Sequence, residues 1–401
     1  MQKLLTVILA CLGMIGALAI DTYLPSMPAI GVEFGVGPVA VQQTLSVFLF
    51  TFAFMMLFYG TLSDSFGRRP VILAALLVYT LASIGAAWAP SFGWLLVFRA
   101  LQGLSAGAGS VIGQAIVQDR FSGAQAQRMM SHIMMVFGLA PAIAPILGGW
   151  LHVHFGWRAS FVFLAVFGAA LIVLVMKMLP ESLPVDKRQA FHPGTIGRNY
   201  LMVLRNPQFV FLALSVGLAF SGLSLYIGSA SNFVMEILGL PETAFAWMFI
   251  PLVGGMVVGS AWGGRRAHRA TPGATPGAMM RTGYVLMALG VALNVGYHAL
   301  FPASVPWSVL PLFVYTFGLA VAMPALQLTA MGLFPRNRGL ASSMVGFIQM
   351  MSFALVSGLV APLLFDSALK LALGVAAGLL LSFGAWRLSV RSAVAPGALG
   401  A

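Results

Sequence analysis

The chain consists of about twelve apolar runs of roughly twenty residues each, separated by short interruptions that hold most of its charges. A helix of about twenty apolar residues spans the hydrocarbon core of a bilayer. Because the runs are continuous rather than alternating, they exclude a β-barrel. Charged residues are only 7% of the 401 residues, whereas a soluble domain holds about 25%. The sequence therefore excludes an ordinary soluble enzyme, a disordered chain and a fibrous repeat, and it predicts an all-α membrane protein.

We predict twelve transmembrane helices, and an even number places both termini on the same side of the membrane. The predicted spans are 4–24, 41–60, 71–89, 94–117, 129–151, 158–179, 207–230, 244–263, 282–301, 307–332, 340–362 and 368–388. The longest polar segment, Pro180 to Asn206, separates six spans from six. This division predicts two pseudo-symmetric six-helix bundles that rock about a central site. The predicted domains are an N-terminal bundle (1–180), a cytoplasmic linker (181–206), a C-terminal bundle (207–390) and a cytoplasmic tail (391–401).

The positive charges indicate the orientation of the chain. If the N-terminus is cytoplasmic, all of the 21 Lys and Arg except Arg99, Arg158 and Lys370 fall inside or at inner span ends. This asymmetry follows the positive-inside rule and predicts that both termini are cytoplasmic. The net charge of +12 is therefore explained by membrane topology, and we expect no nucleic-acid partner. The single cysteine, Cys11, cannot form an intramolecular disulfide.

Two charges lie inside predicted spans. Asp21 is about four residues inside the outer end of span one, and Arg99 about five residues inside the outer end of span four. Their similar depth makes them candidate partners. Charge inside a bilayer is expensive and usually functional. We hypothesise that Asp21 is a proton-coupling carboxylate and Arg99 its modulator; the alternative is a fixed ion pair between the two spans.

The loop from Gly60 to Pro70 combines glycines with charges. Gly60 and Gly67 permit tight turns, and Asp64 is expected near the beginning of span three, where an anion can meet a helix N-terminus or an arginine. Arg68 and Arg69 can bridge to neighbouring helix ends. Such a cluster can latch one conformation and release in another. The alternative is a simple anchor that follows the positive-inside rule.

Four segments resemble a known family. Residues 60–70 (GTLSDSFGRRP) resemble the loop signature of the major facilitator superfamily. Residues 21–25 (DTYLP), 98–103 (FRALQG) and 139–149 (LAPAIAPILGG) resemble its Bcr/CflA subfamily of drug:proton antiporters. Weaker agreement elsewhere extends the resemblance over about residues 4–388.

The resemblance implies a twelve-helix major facilitator fold in a bacterial inner membrane. It implies proton-coupled export, by alternating access, of small amphipathic compounds such as chloramphenicol or bicyclomycin, with a latch that favours the outward-facing state. It also assigns an antiporter motif, whose residues are Pro141, Pro145, Gly148 and Gly149. Three departures stand out. Ala144 replaces a glycine, Gln114 and Gln118 stand where many relatives carry arginine, and span one has no second acidic residue. The last two weaken any preference for anionic or cationic substrates.

The sequence says least about which residues line the substrate path. In the family's fold, spans one, four, seven and ten line the cavity. The candidate polar liners are Tyr23, Gln114, Ser224, Tyr226, Asn232 and Gln327. Each has an alternative interpretation as an ordinary interhelical hydrogen bond. His298 is interpreted as a packed or interfacial histidine rather than a proton relay.

The sequence favours a transporter without a cofactor. It contains no HExxH motif, Cys/His cluster or P-loop, so ATP cannot drive transport directly. The predicted partners are a small-molecule substrate, protons and the lipid bilayer, and we expect a monomer. Two other functions stay open: a transporter of a specific metabolite (amino acid, nucleoside or sugar), which could be an importer, and a membrane sensor that does not transport.

Overall fold

The computed structural model describes residues 2–121, 123–188, 193–268, 275–335 and 337–394. Within these ranges the regular structure is helical and contains no strand. The α-helices are Gln2–Asp21 (α1), Met27–Phe34 (α2), Pro38–Phe66 (α3), Arg68–Ala87 (α4), Phe92–Ala106 (α5), Ala108–Arg120 (α6), Gly123–Phe155 (α7), Arg158–Met178 (α8), Pro193–Leu204 (α9), Pro207–Gly228 (α10), Ala246–His268 (α11), Pro276–Leu300 (α12), Leu310–Gly332 (α13), Arg338–Leu355 (α14), Ala361–Leu364 (α15) and Ala368–Val394 (α16). Short 3₁₀ turns cover Leu24–Ser26 and Val185–Lys187, and π-helical turns cover Asn232–Ile237 and Val356–Val360.

Eleven helical segments of the described chain are long and apolar enough to cross a bilayer. They coincide with eleven of the twelve predicted spans. The remaining predicted span, 129–151, lies within α7, a helix of 33 residues. The prediction of an all-α membrane protein is thus confirmed, because the continuous apolar runs that define the sequence have become helices.

Two helices of the described chain begin where proline and a capping side chain coincide. Asn206 accepts a hydrogen bond from the backbone N–H of Phe209 (3.1 Å), and Pro207 is the first residue of α10. Thr275 caps α12 in the same way, one residue before Pro276. Proline fits the first helical turn because its missing N–H has no partner there. Local sequence therefore sets these boundaries directly.

The chain forms two compact units, Met1–Phe191 with Gly239–Phe249, and His192–Leu238 with Ile250–Ala401. In the first unit α4 packs on α8 and α5, α3 on α5, and α1 on α7. In the second, α12 packs on α13, and α10 packs on α16 and α14. Segment 239–249 belongs to the first unit. It lies more than thirty residues after the linker that was predicted to separate the two bundles.

Both of the predicted polar stretches include helical residues. The predicted linker contains a helix, α9, whereas its residues 189–192 lie outside the described residues. The predicted tail begins at residue 391, but α16 continues to Val394, and residues 395–401 lie outside the described residues.

Candidate functional site

Asp21 lies at the point where α1 ends and the chain turns into the 3₁₀ segment. It is only 2% exposed, and its Oδ1 atom has no hydrogen-bond partner among the described residues. The buried hydroxyls of Thr22 and Ser26 also have none. Buried polar atoms are nearly always satisfied, and each exception costs about 1–3 kcal/mol. Three such side chains within six residues of the chain, one of them a carboxyl group, therefore mark a candidate functional site in the first unit.

Arg99 lies on α5 and is fully buried. Its Nε donates to the carbonyl oxygen of Thr44 (3.2 Å), and its Nη1 donates to the carbonyl oxygen of Ala19 (3.1 Å). The guanidinium carbon lies 4.3 Å from the ring centre of Tyr23 and 4.4 Å from that of Phe48. Arginine keeps its charge inside proteins. A third ring, that of Phe161, lies 5.9 Å away. Arg99 is thus a buried cation held by neutral oxygens and aromatic rings.

The ion pair between Asp21 and Arg99 is absent from the ion pairs that the described residues form. The alternative of a fixed ion pair between the two spans is therefore not what this structure shows, and the role of Arg99 as a modulator of Asp21 stays a prediction. The reason is local: Arg99 binds Ala19 and stacks on Tyr23, which lie on either side of Asp21 in the chain. The two residues that sequence singled out are therefore brought into one neighbourhood, with their charges not directly joined.

A neutral side chain fixes the orientation of Arg99. Gln102 Oε1 accepts a hydrogen bond from Arg99 Nη1 (2.9 Å), and Gln102 Nε2 donates to Ser83 Oγ (2.8 Å). Ser83 in turn donates to the carbonyl oxygen of Tyr79 (2.7 Å). This chain of hydrogen bonds links α5 to α4. Gln102 stands in the segment 98–103 that carries the family resemblance, but its contact with Arg99 was not predicted.

The antiporter motif places α7 against the turn that follows Asp21. A Cβ atom added to Gly148 would overlap the carbonyl oxygen of Thr22, and one added to Gly149 would overlap that of Glu242. Pro141 and Pro145 lie inside the same helix. In the first unit, the two glycines therefore allow backbone contacts that any larger residue would prevent.

Arg68 is the centre of a second, charged cluster near the junction of α3 and α4. It contacts Asp64 Oδ1 (2.5 Å), Asp119 Oδ2 (3.1 Å) and Ser63 Oγ (2.6 Å). Asp119 also accepts a hydrogen bond from Ser182 Oγ (2.8 Å). The cluster joins the α3–α4 junction to α6 and to the beginning of the linker.

The predicted turn at Gly60 was wrong, whereas the one at Gly67 is present. Gly60 lies inside α3, which continues to Phe66, so the turn occurs at Gly67, whose φ is +96°. Nothing lies within 4 Å of a Cβ added to Gly60, so that glycine neither breaks the helix nor allows a close contact. The helical run continues because no strong helix breaker stands between these two glycines.

Of the two partners expected for Asp64, an arginine and a helix N-terminus, the structure shows the arginine, Arg68. Asp64 belongs to the last turn of α3, and Glu181 lies at the N-terminus of α4 instead. The Glu181 carboxylate accepts the backbone N–H groups of Arg68 (3.1 Å) and Arg69 (3.2 Å). Arg69 also donates through Nη2 to the carbonyl oxygen of Met176 (2.5 Å). Acceptance of these N–H groups satisfies donors that a helix start leaves free.

The surroundings of Glu181 act on its pKa in two directions. Burial alone would raise the pKa. The backbone N–H groups of Leu183, Arg68, Arg69 and Ser182 outweigh burial and hold the pKa below its usual value. Sequence alone did not indicate Glu181 as a functional residue, because its partners at the start of α4 lie more than a hundred residues away in the chain.

The candidate substrate residues have varied surroundings. In the first unit, Tyr23 is fully buried with its hydroxyl 3.1 Å from Thr44 Oγ1, and Gln114 is exposed. In the second unit, Ser224 donates to the carbonyl oxygen of Phe220 (3.0 Å), and Tyr226 accepts from Asn294 Nδ2 (2.8 Å).

The other two candidates of the second unit are half-buried. Asn232 donates to Glu236 Oε2 (3.1 Å), and Gln327 donates to Gln349 Oε1 (3.4 Å). His298 is half-buried as well, with Nε2 3.1 Å from Ser308 Oγ. Roles in substrate binding stay predictions for all six candidates.

Comparison with known proteins gives consistent matches. The Major Facilitator Superfamily model matches residues 9–362. The chain is 29% identical over 364 residues to the bicyclomycin resistance protein homolog of Haemophilus influenzae, covering 90% of this chain and 89% of that protein. It is 27% identical over 362 residues to multidrug resistance protein D of Escherichia coli (strain K12), covering 90% and 89%. The solved structure of the human organic anion transporter MFSD10 matches with a TM-score of 0.71 at 20% identity, covering 96% of this chain and 99% of that one. At this identity the structural match concerns the fold.

Proposed function

The chain belongs to the major facilitator superfamily, and from this premise we propose that it exports small amphipathic compounds across a bacterial inner membrane in exchange for protons. It is a multi-pass membrane protein with eleven described segments able to span a bilayer. Two relatives that match about 90% of the chain are named for bicyclomycin resistance and multidrug resistance. These names support export of drug-like compounds as the proposed class of activity.

Asp21 is the single observation on which proton coupling rests. Its carboxyl group is buried and has an oxygen without a hydrogen-bond partner among the described residues. A carboxyl group in such surroundings can take up a proton and release it when its environment changes. Asp21 therefore has the surroundings that a coupling site needs.

Arg99 supplies the environment that can change. It is held by the carbonyl oxygens of Ala19 and Thr44 and by Gln102, all of them neutral. An approach of the Asp21 carboxylate would give the cation an anionic partner and favour loss of the proton. Separation of the two groups would favour proton uptake. Protonation of Asp21 and binding of the substrate would then alternate during the transport cycle.

The proposed cargo is small and amphipathic. Gln114 and Gln118 are neutral where many family members carry arginine, and span one has Asp21 as its one acidic residue. These features favour compounds without a strong charge of either sign. Chloramphenicol and bicyclomycin are the probes of choice. We propose a monomer with both termini in the cytoplasm, and the cluster around Asp64, Arg68 and Arg69 as a latch for one conformation.

The test uses purified protein in proteoliposomes with an imposed pH gradient. Chloramphenicol and bicyclomycin are offered separately, and both drug movement and proton movement are recorded. We expect drug-dependent proton movement in the wild type, and we expect Asp21→Asn to fold but to lose gradient-driven accumulation. Asp186→Asn makes the same chemical change at an exposed linker residue and should transport normally. Full gradient-driven transport by Asp21→Asn would refute the assignment.

The same assay separates the other functions. Proton movement that depends on an amino acid, nucleoside or sugar, and not on either drug, would identify a metabolite transporter. Imposing the gradient in both directions would then distinguish import from export. A membrane sensor would show no movement of protons or solutes with any compound.

A further inference from the structure

The end of α7 carries a histidine–glutamate contact that the proposed export mechanism does not use. His152 Nε2 lies 3.5 Å from Glu242 Oε1. The His152 side chain is 11% exposed and that of Glu242 is 34% exposed. Glu242 belongs to segment 239–249, which groups with α7 in the first unit. The contact therefore holds a short loop segment to a long helix, in partial shelter from solvent.

Backbone packing brings the two side chains together. Gly149, one residue beyond Gly148, leaves room for the carbonyl oxygen of Glu242 beside α7. His152 follows Gly149 by three residues, so both lie on the same face of the helix. The segment is anchored further by Phe245 and Phe249, both fully buried.

The strength of this contact depends on charge. A separation of 3.5 Å is longer than the usual N–H···O hydrogen bond. A neutral imidazole gains little at that distance, whereas an imidazolium attracts a carboxylate through space. The Nδ1 atom of His152 is buried without a partner among the described residues. A change in the charge of His152 therefore acts on its attraction to Glu242.

Few other charges lie near this end of α7. On the helices packed against α7, the ionisable groups at this end are Asp21 of α1 and Arg158 of α8. Arg158 is paired with Glu33 (2.6 Å). The turn Leu24–Ser26 carries no ionisable side chain, and the charged residues of α6 lie at its opposite end. On α7 itself, His154 packs its ring on Trp150, with ring centres 4.9 Å apart.

We propose that His152 and Glu242 form a second proton-binding site, a clasp that holds segment 239–249 against α7 when His152 is protonated. Histidine side chains gain their proton between about pH 5 and pH 8. The attraction is present when the imidazole is charged, so the clasp loosens as the pH rises. In the proposed topology this end of α7 faces the external medium, which supplies the proton. The clasp is separate from Asp21 and does not require that Asp21 couples transport.

The test measures hydrogen–deuterium exchange of segment 239–249 in the full-length protein in detergent. The backbone N–H of Ala244, which donates to Pro241 (2.9 Å), reports on the segment. After correction for intrinsic exchange, we expect about fivefold slower exchange near pH 5.5 than near pH 7.5, the size of effect of one partly buried ion pair. His152→Gln and Glu242→Gln should each abolish this difference. His154→Gln, a matched change two residues away, should retain it.

Two results would overturn the clasp: a wild-type segment whose corrected exchange does not depend on pH, or a pH dependence that survives in both His152→Gln and Glu242→Gln. The two variants change different partners, so a folding defect in one leaves the other as the test. Repeating the measurement in Asp21→Asn separates the two proposals. We expect the pH dependence of exchange to persist there even though gradient-driven transport is lost.

Discussion

Arg68 and Arg99 are two buried arginines of the same unit with opposite surroundings. Arg68 contacts two carboxylates, those of Asp64 and Asp119. Arg99 contacts carbonyl oxygens, an amide and two aromatic rings. The first cation is neutralised where it lies. The second has no carboxylate among its described contacts, although Asp21 lies in its neighbourhood.

This difference suggests different roles: Arg68 holds neighbouring segments together, whereas the charge of Arg99 is left without an anionic partner. A cation already paired with two anions gains little from a third, so the contacts of Arg68 suit a latch that is made or broken as a whole. Burying a cation without an anionic partner costs free energy, so other contacts must hold it in place. We interpret Arg99 as a cation held ready for an exchange of partners, with Asp21 as the proposed partner.

The largest predicted effect comes from replacing Arg99 by lysine. Lysine keeps the charge but loses the planar fork and its stacking on aromatic rings. Arg99→Lys cannot keep all three hydrogen bonds and the ring contacts, and each hydrogen bond to a charged group contributes about 1.5–3 kcal/mol. We expect at least about a tenfold loss of export rate, since about 1.4 kcal/mol corresponds to tenfold. Export from everted vesicles, corrected for the amount of protein, measures this loss.

Arg68→Lys is the matched comparison. A lysine there still places a positive charge between two carboxylates, so we expect a smaller loss than in Arg99→Lys. An equal or larger loss in Arg68→Lys would mean that the two clusters do not differ as their contacts indicate.

The sequence predicts the helices well because apolar runs of this length have one stable solution in lipid. It also singles out Asp21 and Arg99, since a charge among apolar residues is conspicuous. It cannot predict that Arg99 binds the carbonyl oxygens of Ala19 and Thr44, because every residue has a carbonyl group. Sequence spacing also cannot predict that Glu181 caps the start of α4, because the two lie more than a hundred residues apart in the chain.

Glycines illustrate the same limit. Gly60 and Gly148 both stand in segments that resemble family motifs, and the sequence offers no physical reason to rank them. In the structure Gly60 has open space around it, whereas Gly148 touches the backbone beside Asp21. The difference arises from packing between helices distant in sequence.

The second prediction uses these two glycines to test how tightly the Asp21 neighbourhood is packed. Gly148→Ala would force a methyl group onto the carbonyl oxygen of Thr22, and overpacking of this kind costs about 1–3 kcal/mol. We expect a lower melting temperature in detergent and reduced export. Gly60→Ala adds the same methyl group inside α3 where nothing lies within 4 Å, so we expect no loss of stability. Equal melting temperatures for the two variants would argue against the close contact at Thr22.

The third and smallest effect concerns Glu181, which binds the start of α4 next to Arg68. Because the folded-state pKa of Glu181 is lowered, its ionised form stabilises the fold. That contribution is complete above the pKa of the unfolded state and is lost as the pH falls through the folded-state pKa. Glu181→Gln should therefore lower stability by about 1 kcal/mol near pH 7 and by less near pH 4. Thermal unfolding in detergent measures both differences. Asp186→Asn changes an exposed residue of the same linker. Its stability relative to the wild type should not change between pH 7 and pH 4. A loss of stability in Glu181→Gln that stays constant down to low pH would mean that the charge of Glu181 does not stabilise the start of α4. The pairing of Arg68 with Asp64 and Asp119 would then be sufficient there.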